Sequence, residues 1–166
     1  MTRARRLLAL GMIALASACT TPLPPTQTPA PAWTSASFTM NSWGHPLTAW
    51  TVEADGSGTW SESTPRNGQF NDRVTTTHAL PADPQAAATL AASLSRLPGA
   101  APDDTHCKNR VTDQVYGELT LSFGERVKQY RYNAGCLDAA YVRYVEQLRA
   151  VDELVAARGR AAADLP

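Results

Sequence analysis

The run Gly117-Glu118-Leu119-Thr120-Leu121-Ser122-Phe123-Gly124-Glu125-Arg126-Val127-Lys128-Gln129-Tyr130-Arg131-Tyr132 reads as two strands around a turn, and the fold is built outward from it. Gly124-Glu125 suits a two-residue type II′ loop, which wants Gly at its first central position. That turn fixes the pairs. Leu119 faces Tyr130, Leu121 faces Lys128, Phe123 faces Arg126 and Gly117 faces Tyr132, giving an apolar and aromatic face along which the cationic stems can lie. On the other face Glu118 meets Arg131 and Thr120 meets Gln129. A slip of one residue would put Leu119, Leu121 and Phe123 in water, so one register satisfies both faces. The alternative for the turn is a longer loop through Arg126 between the same two strands.

Upstream, residues 37–40 and 47–54 have strand character, and Asp55-Gly56-Ser57-Gly58 marks a turn before Thr59-Trp60-Ser61. Trp50, Val52 and Trp60 are candidates for the buried face. After an expected loop at Thr64-Pro65-Arg66-Asn67-Gly68, residues 69–79 offer a fourth strand with Phe70, Val74 and Leu80 as its apolar points; the run Thr75-Thr76-Thr77 favours strand over helix. Asp83 is a good N-cap with Pro84 at the first helical position, and Ala87, Leu90, Ala91, Leu94 and Leu97 recur at helical spacing up to Pro98-Gly99. A second helix is expected just after Cys136, with Leu137, Tyr141, Tyr144, Leu148, Val151 and Val155 as its stripe and Gly159 as its end. A single amphipathic helix across a sheet accounts for that stripe as well as a coiled-coil seam does. The elements run ββββ-α-ββ-α. Strands adjacent in sequence favour an antiparallel sheet of five to six strands with both helices on one face, an α+β sandwich. The expected boundaries are a single domain over 33–159 and a disordered tail at 160–166.

The first eighteen residues have a targeting pattern: Arg3, Arg5 and Arg6, then an apolar run over 7–15, then Ala16-Ser17-Ala18. The run is too short for a permanent bilayer span. Cys19 follows, and Leu15-Ala16-Ser17-Ala18-Cys19 resembles the lipobox of bacterial lipoprotein precursors, with Ala in place of the usual Leu three residues before the cysteine. The resemblance covers residues 1–19 only. It implies cleavage before Cys19, a diacylglyceryl thioether on that sulfur and N-acylation, commonly with palmitate, hence a membrane anchor of two or three acyl chains. In the lipoproteins this segment resembles, an aspartate after the cysteine often means retention at the inner membrane, so the resemblance, with Thr20 there instead, implies the outer membrane, with the domain in the periplasm. The alternative is an ordinary secretory signal cut after Ala18, leaving Cys19 as a free thiol. Residues 19–32 then form the lipidated N-terminus and a Pro/Thr-rich extended tether. With Cys19 acylated, Cys107 and Cys136 remain as partners in an oxidising compartment. Their loop of about thirty residues gives a bridge worth roughly 3 to 4 kcal/mol.

Chemistry is sparse. The chain has no Gly-x-Ser-x-Gly elbow, His-Glu-x-x-His, phosphate-cradling glycine loop or Cys-x-x-Cys. His45, His78 and His106 fall in separate expected elements. Asp103, Asp104 and His106 are a local cluster of ligand-type side chains, better read as an exposed acidic loop than as a metal site. Neither metal nor cofactor is expected. Without its three leader arginines the chain has twelve basic against fifteen acidic residues, which argues against a nucleic-acid partner. Trp33 and Trp43 lie beside linker or turn residues, and with His45 they are the candidate binding surface. The expectation is a lipid-anchored envelope protein whose domain binds another protein or an envelope polymer without catalysis. A periplasmic inhibitor or small-ligand-binding module is the alternative, and a hydrolase stands behind both.

Overall fold

The computed structural model describes residues 32–163; the signal segment, Cys19, the tether up to residue 31 and residues 164–166 lie outside the described residues. The elements are β1 (Ser35–Ser42), β2 (His45–Glu53), β3 (Gly58–Arg66), β4 (Gln69–Leu80), α1 (Pro84–Leu94), β5 (Tyr116–Phe123), β6 (Arg126–Asn133) and α2 (Ala139–Ala163). This is the expected ββββ-α-ββ-α order. The six strands form one antiparallel sheet, β4-β3-β2-β1-β5-β6. β1 is therefore internal, paired with β2 on one side and β5 on the other.

The β5–β6 hairpin has the register its sequence dictates, with Leu119 opposite Tyr130, Leu121 opposite Lys128 and Glu118 opposite Arg131. Gly124 supplies the positive φ of 65° that the turn requires. Arg131 Nε donates to Glu118 Oε2 at 2.7 Å across the strands.

Alternation along β1, β2, β5 and β6 separates the two faces. Ala36, Phe38, Trp50, Val52, Trp60, Leu119, Leu121, Tyr130 and Tyr132 are buried, while Thr39, Thr51, Thr59, Thr75 and Thr77 are exposed on the other side. Phe38 stacks between Trp50 and Tyr132, at 5.7 and 5.8 Å between ring centroids. The helices cover this apolar face. Asp83 caps α1, its carboxylate accepting from the Ala86 N–H at 3.0 Å, and Ala87, Leu90 and Leu94 point inward. α2 crosses the sheet from β6 towards β4. The Tyr144 hydroxyl donates to Arg131 O at one end, and Arg158 donates to Gly56 O and Pro81 O near the other. Among the described residues no helix is long and apolar enough to cross a membrane.

Several expectations are corrected. β3 does not stop before Thr64-Pro65-Arg66 but runs to Arg66, because Pro65 sits at a register shift where a ladder donor is dispensable. The turn is Asn67-Gly68, both at positive φ. Phe70 and Val74 are exposed, since their half of the edge strand pairs only with the outer end of β3 and lies beyond the core. Leu137 is also exposed and precedes α2; its N–H donates to Asn109 O, which holds it in the preceding loop. Gly159 does not end α2. It is an interior residue where the helix meets the Trp60 indole, and a Cβ there would lie 2.3 Å from the ring. Residues 160–163, expected in the tail, are therefore the last turn of the helix.

Asp152 brings a carboxylate into this interface. It is buried on α2 and accepts from Trp50 Nε1 at 3.0 Å. Burial first, and then the charge of Glu153, push its pKa up from 3.8 to about 6, against the lowering effects of the Trp50 hydrogen bond and the Arg160 charge. Tyr132 faces it from β6 with a hydroxyl that burial first, and then the Asp152 charge, push above the ordinary range; the Arg149 charge opposes them.

Two outcomes follow. Gly159→Ala should destabilise by about 1 to 3 kcal/mol in urea unfolding, although the same change on an exposed helix position would stabilise. No loss would disprove the Trp60 contact. Asp152 holds its proton more tightly in the folded chain than in the unfolded one. Its contribution is therefore fully present below pH 4 and lost as pH rises to about 6. Asp152→Asn keeps the acceptor for Trp50, so its stability relative to wild type should rise by about 3 kcal/mol across that window and then stay level. A flat difference over the same range would contradict it.

Candidate functional site

The β1–β2 connection is the two-residue turn Trp43-Gly44, with φ of 51° and 78°. Such a turn favours Asn, Asp or Gly at its first position, because a side chain there brings Cβ close to the carbonyl oxygen. A tryptophan in this conformation needs another reason to be there, and core packing is not one: Trp43 is 64 % exposed. Strain at an exposed aromatic points to use of the ring.

What surrounds Trp43 is consistent with that use. The Tyr116 hydroxyl accepts from the Gly44 N–H at 3.2 Å, which ties the turn to the start of β5. Trp43, Tyr116, Val111, Arg110, Gln114 and Asn133 are among the walls of an open cleft of about 340 Å³. Trp43, Tyr116 and Val111 are all exposed apolar side chains. On the other flank of the turn, His45 sets its ring edge-on to Phe70, 5.5 Å between centroids, and Arg73 lies over that ring at 5.5 Å. Arg73 is held by Ser63, whose Oγ and carbonyl oxygen both accept from it. The result is an aromatic rim with cations beside it, at the end of the sheet opposite residue 33.

One wall of the cleft is a long loop, and two devices hold it. Cys107 and Cys136 are joined in a disulfide with a Cα–Cα separation of 5.8 Å. Asp138, just before α2, accepts from the backbone N–H groups of Lys108 and Asn109 at 3.0 and 3.1 Å and from Asn109 Nδ2 at 3.0 Å. The Lys108 amide first, with help from Asn109, holds its carboxyl below the usual range. The Cys107 and Cys136 sulfurs and the Asp138 carboxylate lie within 4.8 Å of one another, but the sulfurs are spent on each other and the carboxylate on the loop amides.

The other sequence candidates are dispersed. Trp33 does not belong to the exposed surface. It is 4 % exposed and packed into the core just before β1, where it lines a cavity together with Ala88 and Ala91 of α1. His78 stacks on Trp60 at 5.8 Å between centroids. The Asp103 carboxylate accepts from the Thr105 N–H and hydroxyl at 2.9 and 2.8 Å and lies 3.2 Å from His106 Nδ1, all on an exposed loop. Tyr116 and Phe70 were missed as surface residues because alternation alone assigns aromatic positions to the core. The signal for Trp43 was its place beside turn residues.

No family model matches the chain, and neither a curated protein nor a solved structure shows significant similarity to it.

If Trp43 is kept for its exposed ring at the expense of the turn, Trp43→Asn should raise stability by about 1 kcal/mol. Chemical denaturation reads this directly, and a fall in stability would show that the indole serves the fold.

Proposed function

We propose that the protein is a lipid-anchored component of the bacterial cell envelope, most consistent with the outer membrane, whose periplasmic domain binds another envelope protein or polymer without catalysis. Cys19 carries the lipid, residues 20–32 form the tether, and the Trp43 rim is the contact surface. The observation that carries the binding part is the strained, exposed Trp43 beside Tyr116 and His45. The anchor part rests on the charged, apolar and small-residue zones that precede Cys19 in order.

The two parts support each other geometrically. The tether joins at the start of β1 and the rim lies beyond its other end, so an eight-residue strand, roughly 26 Å long, separates them. A domain held at residue 33 can present residue 43 away from the lipid.

Two readouts in intact cells test the parts separately. Labelled palmitate should mark the wild type and not Cys19→Ala; an unlabelled wild type removes the anchor. A photo-crosslinking residue at position 43 should capture a discrete envelope partner, whereas one at Glu125, on the tether side, should not. Equal capture at both positions, or none at 43, removes the rim.

A further inference from the structure

A second concavity lies at the other end of the molecule, where α1 passes over the β5–β6 hairpin. Its volume is about 540 Å³, within the roughly 300 to 1,000 Å³ of small-molecule sites. Ala88 and Ala91 of α1 form a low wall against the taller aromatic wall of Trp33, Phe123 and Tyr130. On the α1 side the space is bordered by the methyl groups of Ala88 and Ala91 together with Leu94, and a larger residue at either alanine would narrow it.

The lining is apolar apart from Ser95, the Tyr130 hydroxyl, which donates to Pro98 O, and one charge. That charge is Lys128. Its Nζ sits 4.8 Å from the centroid of the Tyr130 ring, and among the described residues no ion pair involves it. Among the described residues no carboxylate lines the cavity. Trp33, itself buried, keeps its indole N–H without an acceptor among the described residues.

We propose that this cavity binds a fatty acid, an unbranched acyl chain lying between α1 and the hairpin with its carboxylate at Lys128. Apolar walls supply the affinity for the chain, and the lone ammonium selects the sign of the head group. A single lysine matches a singly charged carboxylate. Phosphate sites draw instead on arginine forks or on clustered backbone donors, and among the described residues no arginine lines this cavity. The site is independent of the Trp43 rim and of whether Cys19 is acylated.

The test uses the full chain carrying Cys19→Ser, titrated calorimetrically with octanoate, decanoate and dodecanoate below their micelle concentrations. One saturable site is expected, tightening roughly fourfold per added methylene until the cavity is full. Dodecylamine should bind at least tenfold more weakly than dodecanoate, and Lys128→Gln should weaken dodecanoate roughly tenfold. Dodecyl phosphate binding tighter than dodecanoate would refute the carboxylate assignment. Ala91→Phe should narrow the cavity and weaken dodecanoate roughly tenfold, with thermal melting used to verify that it folds; Lys128→Gln, at a half-exposed position, decides the matter if it does not. Absence of saturable dodecanoate binding, equal affinity for the amine, or full affinity in a folded Ala91→Phe variant would each overturn the proposal.

Discussion

β1 is hydrogen-bonded along both of its edges, to β2 and to β5, and this double pairing turns two separate hairpin blocks into one sheet. One partner is the neighbouring strand of a hairpin and the other is distant in sequence, since Phe38 lies opposite Trp50 on one side and Leu119 on the other. Phe38 in turn stacks on Trp50 and on Tyr132, so the aromatic centre of the core is assembled from three strands of both blocks. With β1 in the middle, the chain enters the fold at one end of the sheet and first turns at the other. That single strand is what separates the cavity beside Trp33 from the rim around Trp43.

The sheet buries only one face, so α1 and α2 must supply the second layer. α2 has to cross strands that carry bulky residues, and its sequence yields where they press hardest: Gly159 replaces a side chain where Trp60 lies against the helix. The same interface holds Asp152, whose ionisation costs free energy because burial outweighs the Trp50 hydrogen bond. At the far end, the disulfide and Asp138 fix the loop that precedes β5. Covalent and polar restraints stand there in place of apolar burial, beside a surface whose aromatic groups remain in water.

Much of this was legible in the sequence, for identifiable reasons. The β5–β6 register could be read because a turn constraint and two face patterns all had to agree, and only one alignment satisfied them. The start of α1 was announced by a cap residue followed by proline. Reading failed where a local rule was overridden by tertiary contact or by position in the sheet. Gly159 looked like a helix stop, yet it was a space left for an indole. Pro65 looked like a loop residue, although a bulge accommodates it within a strand. Phe70 and Trp33 exchanged environments: the first lies on an edge strand outside the core, and the second is packed into it. The cavity left no sequence signal at all, because an alanine facing a void and one facing a tight contact look the same in a helical pattern.

The measurement closest to the heart of this account is native-state hydrogen exchange of the β1 amides. A strand paired on both edges can release its amide protons only when the sheet comes apart. The amides of Ala36, Phe38 and Met40 should therefore exchange at the rate of global unfolding, together with those of Leu119 and Leu121. Exchange of β1 through a much cheaper local opening, while the β2–β3 and β5–β6 amides stay protected, would mean that the two blocks are not joined through this strand, and the placement of cavity and rim at opposite ends would fail with it.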